Sequence, residues 1–105
     1  MSQPPSTYME FKKKYTELTN AYENLGAECQ KAGPLSAKER ALAKLAIAIG
    51  AGLEGAVHSH VNRALDAGLS ADELRHVALL STTTIGFPSM MRTLTWMEDV
   101  LSPKE

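Results

Sequence analysis

The chain has 105 residues, 44% hydrophobic and 22% charged, a composition that fits an ordinary globular protein and excludes a disordered or fibrous one. A chain this short buries only about 65% of its unfolded surface, which leaves no room for a second independent core. Eleven basic and twelve acidic side chains give a formal charge of −1, so no bulk field draws the protein to nucleic acid or an anionic membrane, and neither is an expected partner.

The first residues carry no apolar leader-like run. The longest apolar-rich stretch, residues 41–57, is broken by Lys44, Glu54 and three glycines. Neither export nor membrane spanning is therefore expected, and the cytoplasm is the expected compartment. The single cysteine, Cys29, excludes an intramolecular disulfide, a Cys-x-x-Cys redox pair and a cysteine-rich zinc site.

In chain order, Tyr8, Phe11, Tyr15, Leu18, Tyr22, Leu25, Cys29 and Ala32 keep an alternating three-four spacing, which predicts one helix with a single apolar seam. Gly33 and Pro34 supply its stop. Cys29 on that seam reads as a small buried hydrophobe, and the three tyrosines as packing against another helix rather than as a ligand-binding strip. Ser36 followed by Glu39 is a capping box that opens a second helix, and between Ala41 and Ile49 only Lys44 is polar. A small domain cannot easily enclose a helix apolar nearly all round, so its surplus face predicts a subunit interface.

Gly50, Ala51 and Gly52 interrupt the pattern before a third helix over about residues 53–67, closed by Gly68. Ser70 and Glu73 form a second capping box, opening a fourth helix that runs to about Ile85 with an irregular end at Thr82, Thr83 and Thr84. Pro88 suits the first turn of a fifth helix carrying Met91, Leu94, Met97, Val100 and Leu101. The expectation is an all-α fold: one domain over residues 1–105, a compact bundle of about five helices. Residues 1–34 form an interface helix and residues 35–101 the core.

The polar groups that could do chemistry are Glu54, His58 and His60 on the third helix and His76 on the fourth. At about 100° per residue His58 and His60 point nearly opposite ways, so His-x-His is a poor chelate on a helix and no metal is expected there. His60 projects with Leu53, Ala56, Val57 and Ala64 inside the apolar arc. It reads either as a hydrogen-bonded core histidine or as an acid or base held near neutrality. His58 lies one turn after Glu54 near the arc's edge, where the two can pair, and His76 reads as a solvated or interface residue.

From Leu35 onward, the run LSAKERALAKLAIAIGAGLEGAVHSHVNRALDAGLSADELRHVALLSTTTIGFPSMM resembles the carboxymuconolactone decarboxylase and alkylhydroperoxidase D (AhpD-like) superfamily. The resemblance covers the second to fifth helices and implies a small all-α protein assembled as a trimer or hexamer. The superfamily's thiol-dependent branch carries a Cys-x-x-Cys pair at positions matching Leu53 and Ala56 and a glutamate matching Ala41, so only the histidine, His60, is retained here. AhpD-type peroxidase activity needs a thiolate and a resolving thiol and is disfavoured.

The decarboxylase branch is the closer relative, with Glu54 matching its glutamate and His60 its histidine, although Ala56 stands where that branch commonly has an acidic residue. The resemblance implies cofactor-free acid/base chemistry on a small carbonyl or lactone carboxylate, a carboxy-lyase (decarboxylase-like) reaction. His60 would be the proton-transfer group, with Glu54 and His58 as further candidates and Arg75 as a candidate second acid. The expected partners are a small-molecule ligand and further copies of the chain. A non-catalytic oligomeric helical binding or scaffold protein is the alternative.

Overall fold

The computed structural model describes residues 5–102. It contains α1 (Ser6–Lys14), α2 (Thr16–Lys31), α3 (Ala37–Ala51), α4 (Glu54–Asp66), α5 (Ala71–Leu80), α6 (Thr82–Ile85) and α7 (Phe87–Leu101), and no strand among the described residues. The all-α expectation holds, with seven helical segments in place of about five. The chain divides into two compact units, Met1–Leu35 and Ser36–Glu105.

In the first unit the single expected helix is two. Tyr15 leaves helical geometry at φ −122°, ψ 58°, and α1 folds back on α2, with Tyr8 Oη donating to Glu23 Oε2 at 3.1 Å and Lys12 Nζ pairing with the same oxygen at 3.3 Å. The bend is held by side-chain hydroxyls: Thr16 Oγ1 donates to the Lys12 carbonyl and Thr19 Oγ1 to the Tyr15 carbonyl. These bonds compete with the regular ladder and favour an irregular joint. The tyrosines therefore do not share one helix. Within this unit α1 is too short to cover the seam of α2: Leu18, Tyr22 and Leu25 are exposed and Thr19 is the buried residue of α2. Cys29, expected to be buried on that seam, is exposed for the same reason.

In the second unit both capping boxes form as expected. Ser36 Oγ accepts from the Glu39 amide while Glu39 Oε1 accepts from the Ser36 amide, and Ser70 and Glu73 repeat the arrangement. These bonds hold the Glu39 and Glu73 carboxyls below the usual carboxylate range. The expected irregularity near Thr82 falls one residue earlier, at Ser81. Ser81 Oγ donates to the Ala78 carbonyl and Thr82 Oγ1 to the Leu79 carbonyl, ending α5 and starting the short α6. Gly86, at φ 98°, then reverses the chain into α7, which has Pro88 in its first turn.

The core is built around α4, which packs against α3 on one side and α7 on the other, while α5 packs against α7 and α3. Leu45, Ile49, Val57, Val61, Leu69, Leu74 and Met97 are its large buried apolar side chains, joined by Ala48, Ala64 and Ala78. Burying a leucine or methionine side chain contributes about 1.5–3 kcal/mol, and truncation adds a cavity penalty. Leu74→Ala should therefore cost about 2–5 kcal/mol in denaturant unfolding. His76→Ala, at an exposed position, should stay within about 0.5 kcal/mol of the parent.

Candidate functional site

The polar groups of interest hang on α4. Its buried stripe is Val57, Val61 and Ala64, spaced i, i+4, i+7. This places His60 at the edge of the stripe rather than at its centre, and the ring is half-buried. The expected place of His60 inside the apolar arc is thereby corrected: the fully buried Val61 belongs to the arc and moves its centre away from the histidine. Among the described residues His60 has no hydrogen-bond partner, so it is not a hydrogen-bonded core histidine. Partial burial lowers its pKa from the ordinary imidazole value, and the positive charges of Lys44 on α3 and Arg63 on α4 lower it further. The neutral ring is thus the dominant form near pH 7.

His58 lies on the opposite side of α4, toward α7. Its Nε2 is 3.1 Å from Asp99 Oδ2 and 4.0 Å from Glu54 Oε2. The structure thus brings Glu54 and His58 together, as their i,i+4 spacing suggests, and adds Asp99, which lies 41 residues further along the chain and carries no local signal. It does not bring His60 to this cluster. Arg75 is committed elsewhere: its guanidinium donates to both oxygens of Glu98, at 2.8 and 3.0 Å, and to Asp72 Oδ1 at 3.0 Å. These carboxylates hold it more firmly protonated than a free arginine, which leaves it poorly suited to proton transfer. His76 is exposed, as expected of a solvated residue.

A separate open apolar groove of about 230 Å³ runs between α3, α5 and α6, lined by Ile49, Val77, Leu80, Ser81, Thr84 and Ile85 among others. His60 is not part of its lining.

In a comparison of the chain to protein families, the model of the carboxymuconolactone decarboxylase family matches residues 16–99. The chain belongs to that family. No curated protein and no solved structure gives a significant match. The family match spans α2 to α7, so it includes both the His60 edge and the Glu54–His58–Asp99 cluster. Among the described residues no helix of this family member is long and apolar enough to cross a membrane.

The lowered pKa of His60 has a consequence for stability. On acidification the unfolded chain binds the proton first, at about pH 6.5, so stability falls as pH drops from there toward the lower native value. The difference in unfolding free energy between the parent and His60→Asn should therefore change between about pH 7 and 5, with the variant losing less stability over that interval. Denaturant titrations across the range check this.

Proposed function

We propose that this member of the carboxymuconolactone decarboxylase family binds a small carboxylate-bearing carbonyl compound or lactone beside His60 and carries out cofactor-free decarboxylation, with His60 as the proton-transfer group. One observation carries the reading. His60 is a half-buried, neutral-leaning imidazole without a protein partner, standing in the field of two cations, Lys44 and Arg63. Positive charge attracts an acid ligand and stabilises an enolate-like oxygen in the transition state. When the bond to the carboxylate breaks and CO₂ leaves, its electron pair is taken up by the neighbouring carbonyl as an enolate. Protonation at carbon then completes the step. A His60 imidazolium, more acidic than an ordinary one, donates that proton readily and is recharged from water. Glu54 and His58 lie across α4 from this centre, about 200° around the helix from His60 in the case of His58.

The working form is proposed to be a homo-oligomer, a trimer or hexamer in the cytoplasm. Supporting this, Ile47, Leu53, Leu80 and Phe87 are all more than half exposed in the single chain, an apolar surface unusual for a chain that stays single. Light scattering should give a mass above that of the 11.4 kDa chain at micromolar concentration.

A second reading, a non-catalytic binding protein, is favoured by the apolar groove between α3, α5 and α6, which His60 does not line. Thermal-shift screening with small lactones and carboxylates separates the two. In the catalytic reading, acids stabilise the parent and lose affinity in His60→Asn, while fold and oligomer survive and any decarboxylation falls by about 10²-fold or more. Ligands that bind His60→Asn as well as the parent would establish the binding protein instead. Dithiol-dependent peroxide turnover is not expected, because Leu53 and Ala56 occupy the positions where that chemistry needs thiols.

A further inference from the structure

Three potential metal ligands converge where α4 meets α7. Glu54 and His58 stand one turn apart on α4 and so share a face, and Asp99 approaches them from α7. One donor atom from each lies within 4.8 Å of the other two. His58 Nε2 is 3.1 Å from Asp99 Oδ2 and 4.0 Å from Glu54 Oε2. Ligands bonded to one ion at about 2.0–2.2 Å stand roughly 3–3.6 Å apart at neighbouring positions, so small side-chain rotations suffice to bring all three onto a single centre.

We propose that Glu54, His58 and Asp99 form a binding site for a divalent transition-metal ion of the Zn²⁺ type. The donor set of one imidazole and two carboxylates suits ions of intermediate softness better than Mg²⁺ or Ca²⁺, which prefer oxygen alone. Two carboxylates and a neutral ring carry a formal charge of −2, which the ion cancels. His58 is about a third exposed, and Glu54 and Asp99 about half. The site therefore opens to solvent, and water completes the coordination sphere. Three protein ligands with an open position resemble a reactive metal centre more than a closed structural one. This site is separate from His60, and its existence does not depend on the reaction proposed for that residue.

In the sequence the evident chelate candidate is the close pair His58 and His60, which diverge on a helix. The working chelate instead uses His58 with the residue four places before it and a carboxylate from another helix.

The test is calorimetric titration of the tag-free full chain with Zn²⁺ alone, supported by the visible spectrum on Co²⁺ addition and by the melting temperature with and without metal. The expected result is one saturable site per chain. Zn²⁺ should raise the melting temperature of the parent, because binding the folded form alone stabilises it. His58→Ala and Asp99→Asn should each weaken binding more than about tenfold and remove the thermal shift, given that losing even an outer partner of a ligand costs about 10–100-fold. His60→Asn should bind Zn²⁺ as the parent does, which separates this site from the proposed decarboxylation centre. If His58→Ala does not fold, Asp99→Asn, altered at a half-exposed position, decides the matter. Failure to saturate at millimolar Zn²⁺ overturns the proposal, as does parent-like affinity in a folded His58→Ala or Asp99→Asn.

Discussion

The arrangement of the second unit depends on the burial of one stripe of α4. Val57, Val61 and Ala64 are fully covered by the neighbouring helices, and that stripe fixes the rotation of α4 about its own axis. With the rotation fixed, every other side chain on α4 has an assigned direction. His60 is delivered to one edge and His58 to the other, so two histidines with a single residue between them live in different electrostatic surroundings. One meets the cations Lys44 and Arg63; the other meets the carboxylates Glu54 and Asp99. A hydrophobic constraint thus sorts two chemically identical groups into two different surroundings.

Family membership fits this division. The thiol branch of the superfamily puts its reactive pair in the first turn of the helix that carries the histidine, where unpaired backbone N–H groups favour an anion. In this chain that turn starts at Leu53, without a side-chain cap, and the thiol positions are apolar. The family match covers the helical frame that carries His60. In the reaction proposed above, the reactive burden falls on that imidazole and on charges brought in by α3 and α4.

Much of this is legible in the sequence because the signals are local. Ser36 with Glu39, Ser70 with Glu73, and Pro88 mark helix starts through bonds spanning three residues or a single ring, and each start is found within a residue or two of its expected place. The i,i+4 approach of Glu54 and His58 is local in the same sense. The break at Tyr15 is not legible, because no glycine or proline marks it and the three-four spacing continues across it; only the return contact of α1 on α2, through Glu23, distinguishes two helices from one. Cys29 departs from expectation for the same reason, since a seam implies burial only if something long enough lies over it. Asp99 belongs to a tertiary contact that periodicity does not encode. His60 lies on the apolar side, as its spacing suggests, but less deeply than expected, because the buried stripe takes in Val61 on the side away from the histidine.

The turn joining α3 to α4 carries a consequence for how the chain can vary in length. Gly52 caps α3 in the left-handed region at φ 69°, and a side-chain carbon there would come within 3.0 Å of the Arg92 guanidinium, which also lies over the Trp96 ring. The bend is thus set by its own backbone, with the end of the Arg92 side chain from α7 close by. Each residue inserted into a helical path rotates the downstream part of the helix by about 100°. A single insertion or deletion at this bend that passed its rotation into α4 would swing Val57 and Val61 out of the core and take both histidines out of their present surroundings. This corner works as a fixed gear between α3 and α4, and its tooth count is part of the chemistry.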